Sequence, residues 1–533
     1  MLAVNAHRED TRPVIPLEDG LVRGSFRKSY NGRIYTAFEG IPYAQPPVQH
    51  LRFEDPQPVK PWTGILEATA TYMCMQLKNG KPAGQEDCLY LNVYIPREKI
   101  NPEENLDVIV HIHGGAFVVG NPETYAGAGI IMDKDVVFVT MNYRLGAFGF
   151  YSTGNGISNG NFGLKDQVLA LKWVNNNIHN FGGNNRSITI TGLSAGAASV
   201  HLHYFSPMSR GLFHRGFAQS GTALAPWVIR KDPEVKARVL AETVGCPTSD
   251  MACLKQRSAV QLVGTLSDGG ALTIDFGPTI EPNSSSSFLT EMPYPLLKSN
   301  KVLDVPLLLS VVTGEGTLPC GLLYGQYKYL NENWNNVLPT MLDYYTEPKK
   351  RNISQRLKNF YLQDEPVSAE NFAKIIKMCS DRAFFNGARK TAELQGPLNG
   401  AQVFVLVIGY VSKGMGLSLL GVNNDVKLIR VADVSHGTDG RFFFQNYALG
   451  PPNLSKEEVR MKNILLDMLM SFVKTGKPKV KGVDFEPVSK SGEFDYVLIR
   501  APNNITLKSG DSLGHMEFWD SLGMDEGQNV IPL

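Results

Sequence analysis

Residues Thr189 to Phe205 read TITGLSAGAASVHLHYF. A β-branched run passes through a serine between two glycines and into an alanine-rich segment. A strand should therefore end, and a helix begin, at Ser194. The spacing Gly192, Leu193, Ser194, Ala195, Gly196 predicts a sharp strand-to-helix turn, with glycines leaving room for a strained backbone that pushes the serine hydroxyl outward. So short a pattern recurs by chance. Its reading depends on whether the rest of the chain supplies a base, an acid and a place for an oxyanion.

Short apolar runs recur on both sides of that turn: DVIVHIH (Asp107 to His113), VVFVTMNY (Val136 to Tyr143), SITITG (Ser187 to Gly192), VPLLLSVVT (Val305 to Thr313) and AQVFVLVI (Ala401 to Ile408). Nearly continuous apolarity indicates strands buried on both faces, as in a mostly parallel sheet. Helical spacing appears between them, in FGLKDQVLALKWVNNNI (Phe162 to Ile178) and in KEEVRMKNILLDMLMSFVKTG (Lys456 to Gly476), which ends on a glycine. The alternation predicts an α/β fold, with a large, mostly parallel central sheet flanked by helices. No Pro/Gly/Ser-rich linker divides the chain, so residues 1–533 are expected to form one domain.

In such sheets the ligand crevice lies beyond the carboxyl ends of the strands. After the Val108 run comes HGGAF (His113 to Phe117), whose glycines let backbone N–H groups face a cavity. After the Val305 run, GEGT places Glu315 at a strand end. After the Ala401 run comes VSHGTDG with His436. Taken singly, these are a turn, a loop carboxylate and a polar histidine. Their chain order of serine, acid and histidine belongs to one known triad arrangement, and differs from that of the chymotrypsin-like and subtilisin-like proteases.

Bulk properties narrow the class. The chain has 533 residues, 43% hydrophobic and 19% charged, with a formal net charge of +1. That balance gives no electrostatic reason to expect nucleic acid or an anionic membrane as partner. No apolar run reaches the length of a membrane span, the first residues carry no signal-peptide core, and the last carry no anchor signal. Six cysteines, with Cys74 near Cys88 and Cys246 near Cys253, fit either buried thiols or disulfides. Five N-x-S/T sequons, at Asn185, Asn283, Asn352, Asn453 and Asn504, tip the expectation toward a secreted glycoprotein whose signal peptide is absent from this sequence. No His/Cys cluster has metal-ligand spacing, and no cofactor is expected.

Nearly the whole chain resembles the type-B carboxylesterases, the cholinesterase-like branch of the α/β-hydrolases, and most of all the insect esterases. The resemblance is carried by FEGIPYAQPP (Phe38 to Pro47), EDCLYLNVYIP (Glu86 to Pro96), HGGAF, NYRLGAFGF (Asn142 to Phe150), NFGLKDQ (Asn161 to Gln167), GLSAG, GEGT and SHGTD. It implies an α/β-hydrolase fold with helical insertions around an active-site gorge. Carried over by position, Ser194 is the nucleophile, His436 the base and Glu315 the acid that orients it. Gly115, Ala116 and Ala195 would supply the oxyanion N–H groups, Cys74–Cys88 and Cys246–Cys253 the family's disulfides, and Cys320 and Cys379 stay unassigned. The implied partners are small carboxylic esters and organophosphate inhibitors.

Departures from the family pattern bear on the substrate. The Cys74–Cys88 loop is short and lacks tryptophan, which removes the cation–π site for choline esters. Leu193 stands where much of the family has glutamate and juvenile hormone esterases typically have glutamine. Ala116 adds a methyl in the oxyanion loop. Trp227, in SGTALAPW, aligns with a position lining the acyl pocket of related insect esterases, or is an ordinary core residue. A broad-specificity secreted esterase is the leading expectation. The alternatives are a juvenile hormone esterase, a lipase, or a non-catalytic binding or adhesion protein of the same fold.

Overall fold

The computed structural model describes residues 11–264, 275–397, 400, 402–412, 434–445, 453–488, 494–509 and 513–525. Every apolar run named above becomes a strand: Leu106–Ile112, Val137–Met141, Gly183–Leu193, Leu307–Val312 and Val403–Ile408. Along Leu106–Ile112, Leu307–Val312 and Val403–Ile408, alternate residues enter different cores. Val108, Val110 and Ile112 join Leu307, Leu309 and Val311 on one face, while Ile109 joins Leu308, Val312 and Phe404 on the other. Both faces are buried, and even the alternating Thr189 and Thr191 of SITITG are fully enclosed.

Among the described residues these strands belong to an eleven-stranded sheet. From edge to edge the order is Ser25–Lys28, Ile34–Pro42, Tyr90–Ile95, Val137–Met141, Leu106–Ile112, Gly183–Leu193, Arg215–Gln219, Leu307–Val312, Val403–Ile408, Tyr496–Ala501 and Asn504–Lys508. The run from Val137–Met141 to Tyr496–Ala501 is parallel throughout. Antiparallel strands finish both ends.

The Phe162–Asn177 helix covers one face with Leu164, Val168, Leu171 and Val174. The Lys456–Thr475 helix covers the other with Met461, Leu465, Leu469 and Phe472. The second helix begins with a capping box between Ser455 and Glu458 and stops at Gly476, whose φ of 76° is the left-handed cap.

A helical insertion follows the Leu307–Val312 strand. Its helices Tyr327–Met341, Lys350–Leu362 and Phe372–Ser380 build a separate core around Leu338, Leu357, Phe372 and Ile375, to which Trp519 is added. Among the described residues no helix is long and apolar enough to cross a membrane.

His111, His113, His201 and His203 lie in the interior, and burial pushes their pKa values from 6.5 down to about 3 or 4. The folded chain refuses protons that the unfolded chain accepts from pH 6.5 downward, so stability is full above that pH and lost as pH falls toward 4. Each such group removes up to about 1.4 kcal/mol per pH unit. Asp439, raised to about 6 by burial, pulls the other way but is one group against these histidines. The melting temperature at about pH 5 should therefore fall well below that at about pH 7.5, and His203→Gln should flatten the difference. A melting temperature independent of pH over that range would show that the interior histidines do not govern acid lability.

Candidate active site

Ser194 sits between the Gly183–Leu193 strand and the Ala195–His203 helix at φ 60°, ψ −121°. Such a conformation costs on the order of 1–3 kcal/mol and persists only when its surroundings enforce it. The Ser194 N–H donates to Gln219 O at 2.8 Å, and the Ser194 carbonyl accepts from Ala198 N–H at 2.9 Å. The glycines permit the closure. A Cβ on Gly196 would lie 2.0 Å from Ile112 O, and one on Gly192 would lie 2.3 Å from Gly196 O.

The HGGAF loop leaves the adjacent Leu106–Ile112 strand and passes directly against the serine. A Cβ on Gly114 would sit 2.5 Å from Leu193 O and 3.1 Å from Ser194 Cβ. Gly115 and Ala116 follow at φ 114° and 55°, and Ala116 lines the same cavity as Ser194. The Ala195 N–H belongs to the first turn of its helix, where no intrahelical acceptor exists. The candidate oxyanion donors thus come from two elements that meet at Ser194.

Sequence reasoning missed what holds that loop. The Gln76 side chain, buried within the Cys74–Cys88 loop, bonds both backbone groups of Gly120: Oε1 accepts from Gly120 N–H at 2.8 Å and Nε2 donates to Gly120 O at 2.9 Å. Nε2 also donates to Cys74 O at 3.0 Å, next to the disulfide. Beneath the loop, His113 stacks on Tyr143 at 4.5 Å and donates from Nδ1 to Gly114 O at 2.8 Å. Burial holds His113 near pKa 4, which keeps it neutral and out of proton transfer at physiological pH.

Glu315 and His436 lie beyond two neighbouring strands, and their loops are stitched together by Gly314 N–H donating to Val434 O at 2.9 Å. Glu315 is fully buried. Its Oε1 accepts from Val312 N–H at 2.9 Å, and its Oε2 lies 2.5 Å from His436 Nδ1. That bond makes Nδ1 the donor and leaves the lone pair on Nε2, which is buried and unpartnered. The two halves of the site meet through Leu193, whose Cδ2 would be 3.4 Å from a Cβ on Gly437. Phe384 packs on the imidazole with ring centroids 4.7 Å apart.

Asp439, also missed, is a further buried carboxylate in the same turn. Its pKa is pushed up to about 6 by burial and by the charge of Glu315, with His436 opposing. Gln219 Nε2 donates to it at 3.4 Å, so one residue bonds Asp439 through its side chain and Ser194 through its backbone.

A cavity of about 280 Å³ opens above Ser194. Trp227 lines it half-buried and donates from Nε1 to Ala383 O at 2.9 Å, so it is a wall residue, held upright. Cys74–Cys88 and Cys246–Cys253 are bonded, as is a third pair, Cys320–Cys379, spanning 59 residues. The third bridge ties the turn after Glu315 to the helix that leads into Phe384, and Gly316 N–H donates to Ser380 Oγ beside it at 2.7 Å. All five sequon asparagines are exposed. Asn352 lies within a helix, with Ser354 buried beneath it. Among the described residues no cluster of His, Cys, Asp and Glu is placed to hold a metal ion.

A strained serine turn, a glycine-rich loop and a buried acid–imidazole pair thus all follow the carboxyl ends of strands of one parallel sheet. The chain matches the carboxylesterase family over residues 11–519 and belongs to it. It is 36% identical to a carboxylic ester hydrolase of Bombus ignitus, over 98% of this chain and 96% of that protein. It is 35% identical to venom carboxylesterase-6 of Apis mellifera, over 97% and 95%. Identity is also 35% with a juvenile hormone esterase of Tribolium castaneum, over 88% and 84%. The crystal structure of juvenile hormone esterase from Manduca sexta, with OTFP covalently attached, superimposes with a TM-score of 0.84 at 25% identity, over 96% of this chain and 99% of that one. The protein is a carboxylic ester hydrolase with an α/β-hydrolase fold.

Gln76→Ala removes the clamp on Gly120 without touching the cavity. It should lower kcat by about ten-fold with KM changed by less than about two-fold, because oxyanion donors act on charge present only in the transition state. Affinity for a trifluoromethyl ketone, which forms a tetrahedral oxyanion, should fall in parallel. A loss confined to thermal stability would reduce Gln76 to a packing role.

Proposed function

We propose that this esterase works by two-step acyl transfer through a Ser194–His436–Glu315 triad. His436 Nε2 takes the Ser194 proton as the hydroxyl attacks the ester carbonyl, and returns it to the departing alcohol. Water, activated by the same nitrogen, then releases the acid. Glu315 fixes the tautomer and balances the imidazolium. The N–H groups of Gly115, Ala116 and Ala195 stabilise the tetrahedral oxyanion, each contributing on the order of 3 kcal/mol. The observation that carries this reading is the buried 2.5 Å Glu315–His436 contact, which leaves Nε2 unpartnered, with the neighbouring Gly437 packed toward Leu193 of the serine turn.

The substrate range we propose is broad, covering small carboxylic esters, with organophosphates as covalent inhibitors and the whole chain acting as one catalytic domain. We further propose secretion, with glycans on Asn185, Asn283, Asn352, Asn453 and Asn504. Three disulfides and the exposure of all five asparagines support this, as does the name of the venom relative. A narrower reading as a juvenile hormone esterase has the Tribolium and Manduca likenesses in its favour. Leu193 in place of the glutamine typical of those enzymes weighs against it.

Hydrolysis of p-nitrophenyl esters from acetate to decanoate should vanish in Ser194→Ala, and an organophosphate should leave one phosphoryl adduct mapping to Ser194. A folded wild-type protein with neither turnover nor adduct would instead mark a binding protein.

Trp227 narrows the cavity on the side of Phe117 and Phe384, at centroid distances of 6.5 and 6.0 Å. Trp227→Leu or Trp227→Gly should raise turnover of branched acyl esters relative to acetate by about ten-fold or more. An unchanged ratio would remove Trp227 from the acyl pocket.

A further inference from the structure

The cavity above Ser194 has walls of two chemistries. Trp227, Leu318, Met341 and Phe384 are apolar, and Phe384 packs on His436. Arg230, Asp232, Lys236, Asp343 and Tyr345 are polar, and the exposed Thr340 joins the same lining.

These polar groups form a built arrangement. Arg230 comes three residues after Trp227, and its side chain is only 10% exposed. Its Nη2 donates to Asp232 Oδ1 at 2.9 Å and to Tyr345 Oη at 3.1 Å. The Tyr345 hydroxyl donates to the same Asp232 oxygen at 3.0 Å, closing a triangle. Arg230 Nε is left buried with no partner. Asp343 lies 3.3 Å from Lys231, and Lys236 lies 2.9 Å from Asp275. Two cations and two anions therefore face the cavity, Arg230 and Lys236 against Asp232 and Asp343.

We propose that the polar wall of the cleft is a subsite for an uncharged oxygen-bearing group (hydroxyl, ketone, ether or second ester) at the far end of the substrate's longer arm. This rests on the esterase reading above and specifies its substrate class: esters with an apolar spacer between the scissile bond and a remote oxygen function. Electrostatics select the neutral group. A carboxylate drawn to Arg230 also meets Asp232 and Asp343, and an ammonium drawn to those meets Arg230 and Lys236. A plain alkyl end presses hydrocarbon against ions that it cannot solvate. A neutral oxygen accepts from Arg230 or Lys236 without bringing a charge toward Asp232 and Asp343, and a hydroxyl can also donate to those carboxylates.

The test compares p-nitrophenyl octanoate with its ω-hydroxy, ω-keto, ω-carboxy and ω-trimethylammonio derivatives, normalised to active sites titrated by an organophosphate. The neutral oxygenated esters should exceed the alkyl ester in kcat/KM by about three- to ten-fold, the range expected of one net hydrogen bond. Both charged esters should fall below them. The alkyl ester is the most lipophilic of the series, so partitioning alone predicts the reverse order. In Arg230→Met the ratio of oxygenated to alkyl ester should drop toward about one. Tyr345→Phe, which removes a single hydroxyl, should lower the same ratio and serves if Arg230→Met does not fold. Equal or better turnover of the alkyl ester by the wild type overturns the subsite and leaves the esterase reading standing. A wild-type preference that survives both substitutions overturns its assignment to Arg230 and Tyr345. If no ester is turned over and no adduct forms on Ser194, both readings fall together.

Discussion

One backbone conformation organises this molecule: Ser194 at φ 60°, ψ −121°. A non-glycine residue there is strained, and nothing local relieves it. The strain is carried by the parallel sheet. Gln219 on the adjacent strand takes the serine N–H, Ile112 O on the other side leaves room only for glycine at 196, Gly196 O does the same at 192, and Leu193 O at 114. Those three close approaches bring the serine turn and the HGGAF loop to the same point. A substitution at any of them would move the serine relative to the HGGAF loop and leave its side chain intact.

A second constraint ties the loops beneath the site. Arg144 of NYRLGAFGF is buried against Asp166 of NFGLKDQ, with Nε and Nη2 donating to the two carboxylate oxygens at 2.8 and 2.7 Å and the Arg144 backbone N–H adding a bond at 2.9 Å. Asn161, five residues earlier, bonds Thr279 O and Glu281, and Lys165 pairs with Asp55 and Glu281. Buried charges are tolerable only when fully paired, and losing one partner costs about 3–5 kcal/mol. Such pairing sets NYRLGAFGF and NFGLKDQ apart from the serine motif. Each polar residue in them answers a particular partner across the chain, whereas G-x-S-x-G answers mainly a backbone shape.

The parts legible in the sequence were those with a local signature. Strands buried on both faces announce themselves as apolar runs, and the Lys456–Thr475 helix announces its ends through Ser455, Glu458 and Gly476. The Arg215–Gln219 strand, RGFAQ, has no such signature. It is interior because strands on either side pair with it, and its Gly216 is needed where Tyr204 packs across it. Gln76 and Asp439 were illegible for a related reason. Each acts on a residue far away in the chain, and a buried amide or carboxylate looks in sequence like a surface one. The Cys320–Cys379 bridge was equally hidden, since 59 residues of helical insertion separate its ends and no spacing rule joins them.

The division between legible and hidden follows the division of labour in the site. Ser194, Glu315, His436 and the donor loop all sit at strand ends, where the sheet fixes their positions and the sequence pattern betrays the strands. The walls of the cavity come from elsewhere: Leu318, Met341, Ala383 and Phe384 from the insertion, and Trp227 and Arg230 from the long connection after Gln219. Their positions depend on how helices pack around a separate core and on the Cys320–Cys379 bridge, none of which leaves a periodic trace. The insertion can therefore change its lining without disturbing the strand ends. A constant sheet can therefore carry a variable cavity, and the class of reaction is readable from sequence where the preferred ester is not.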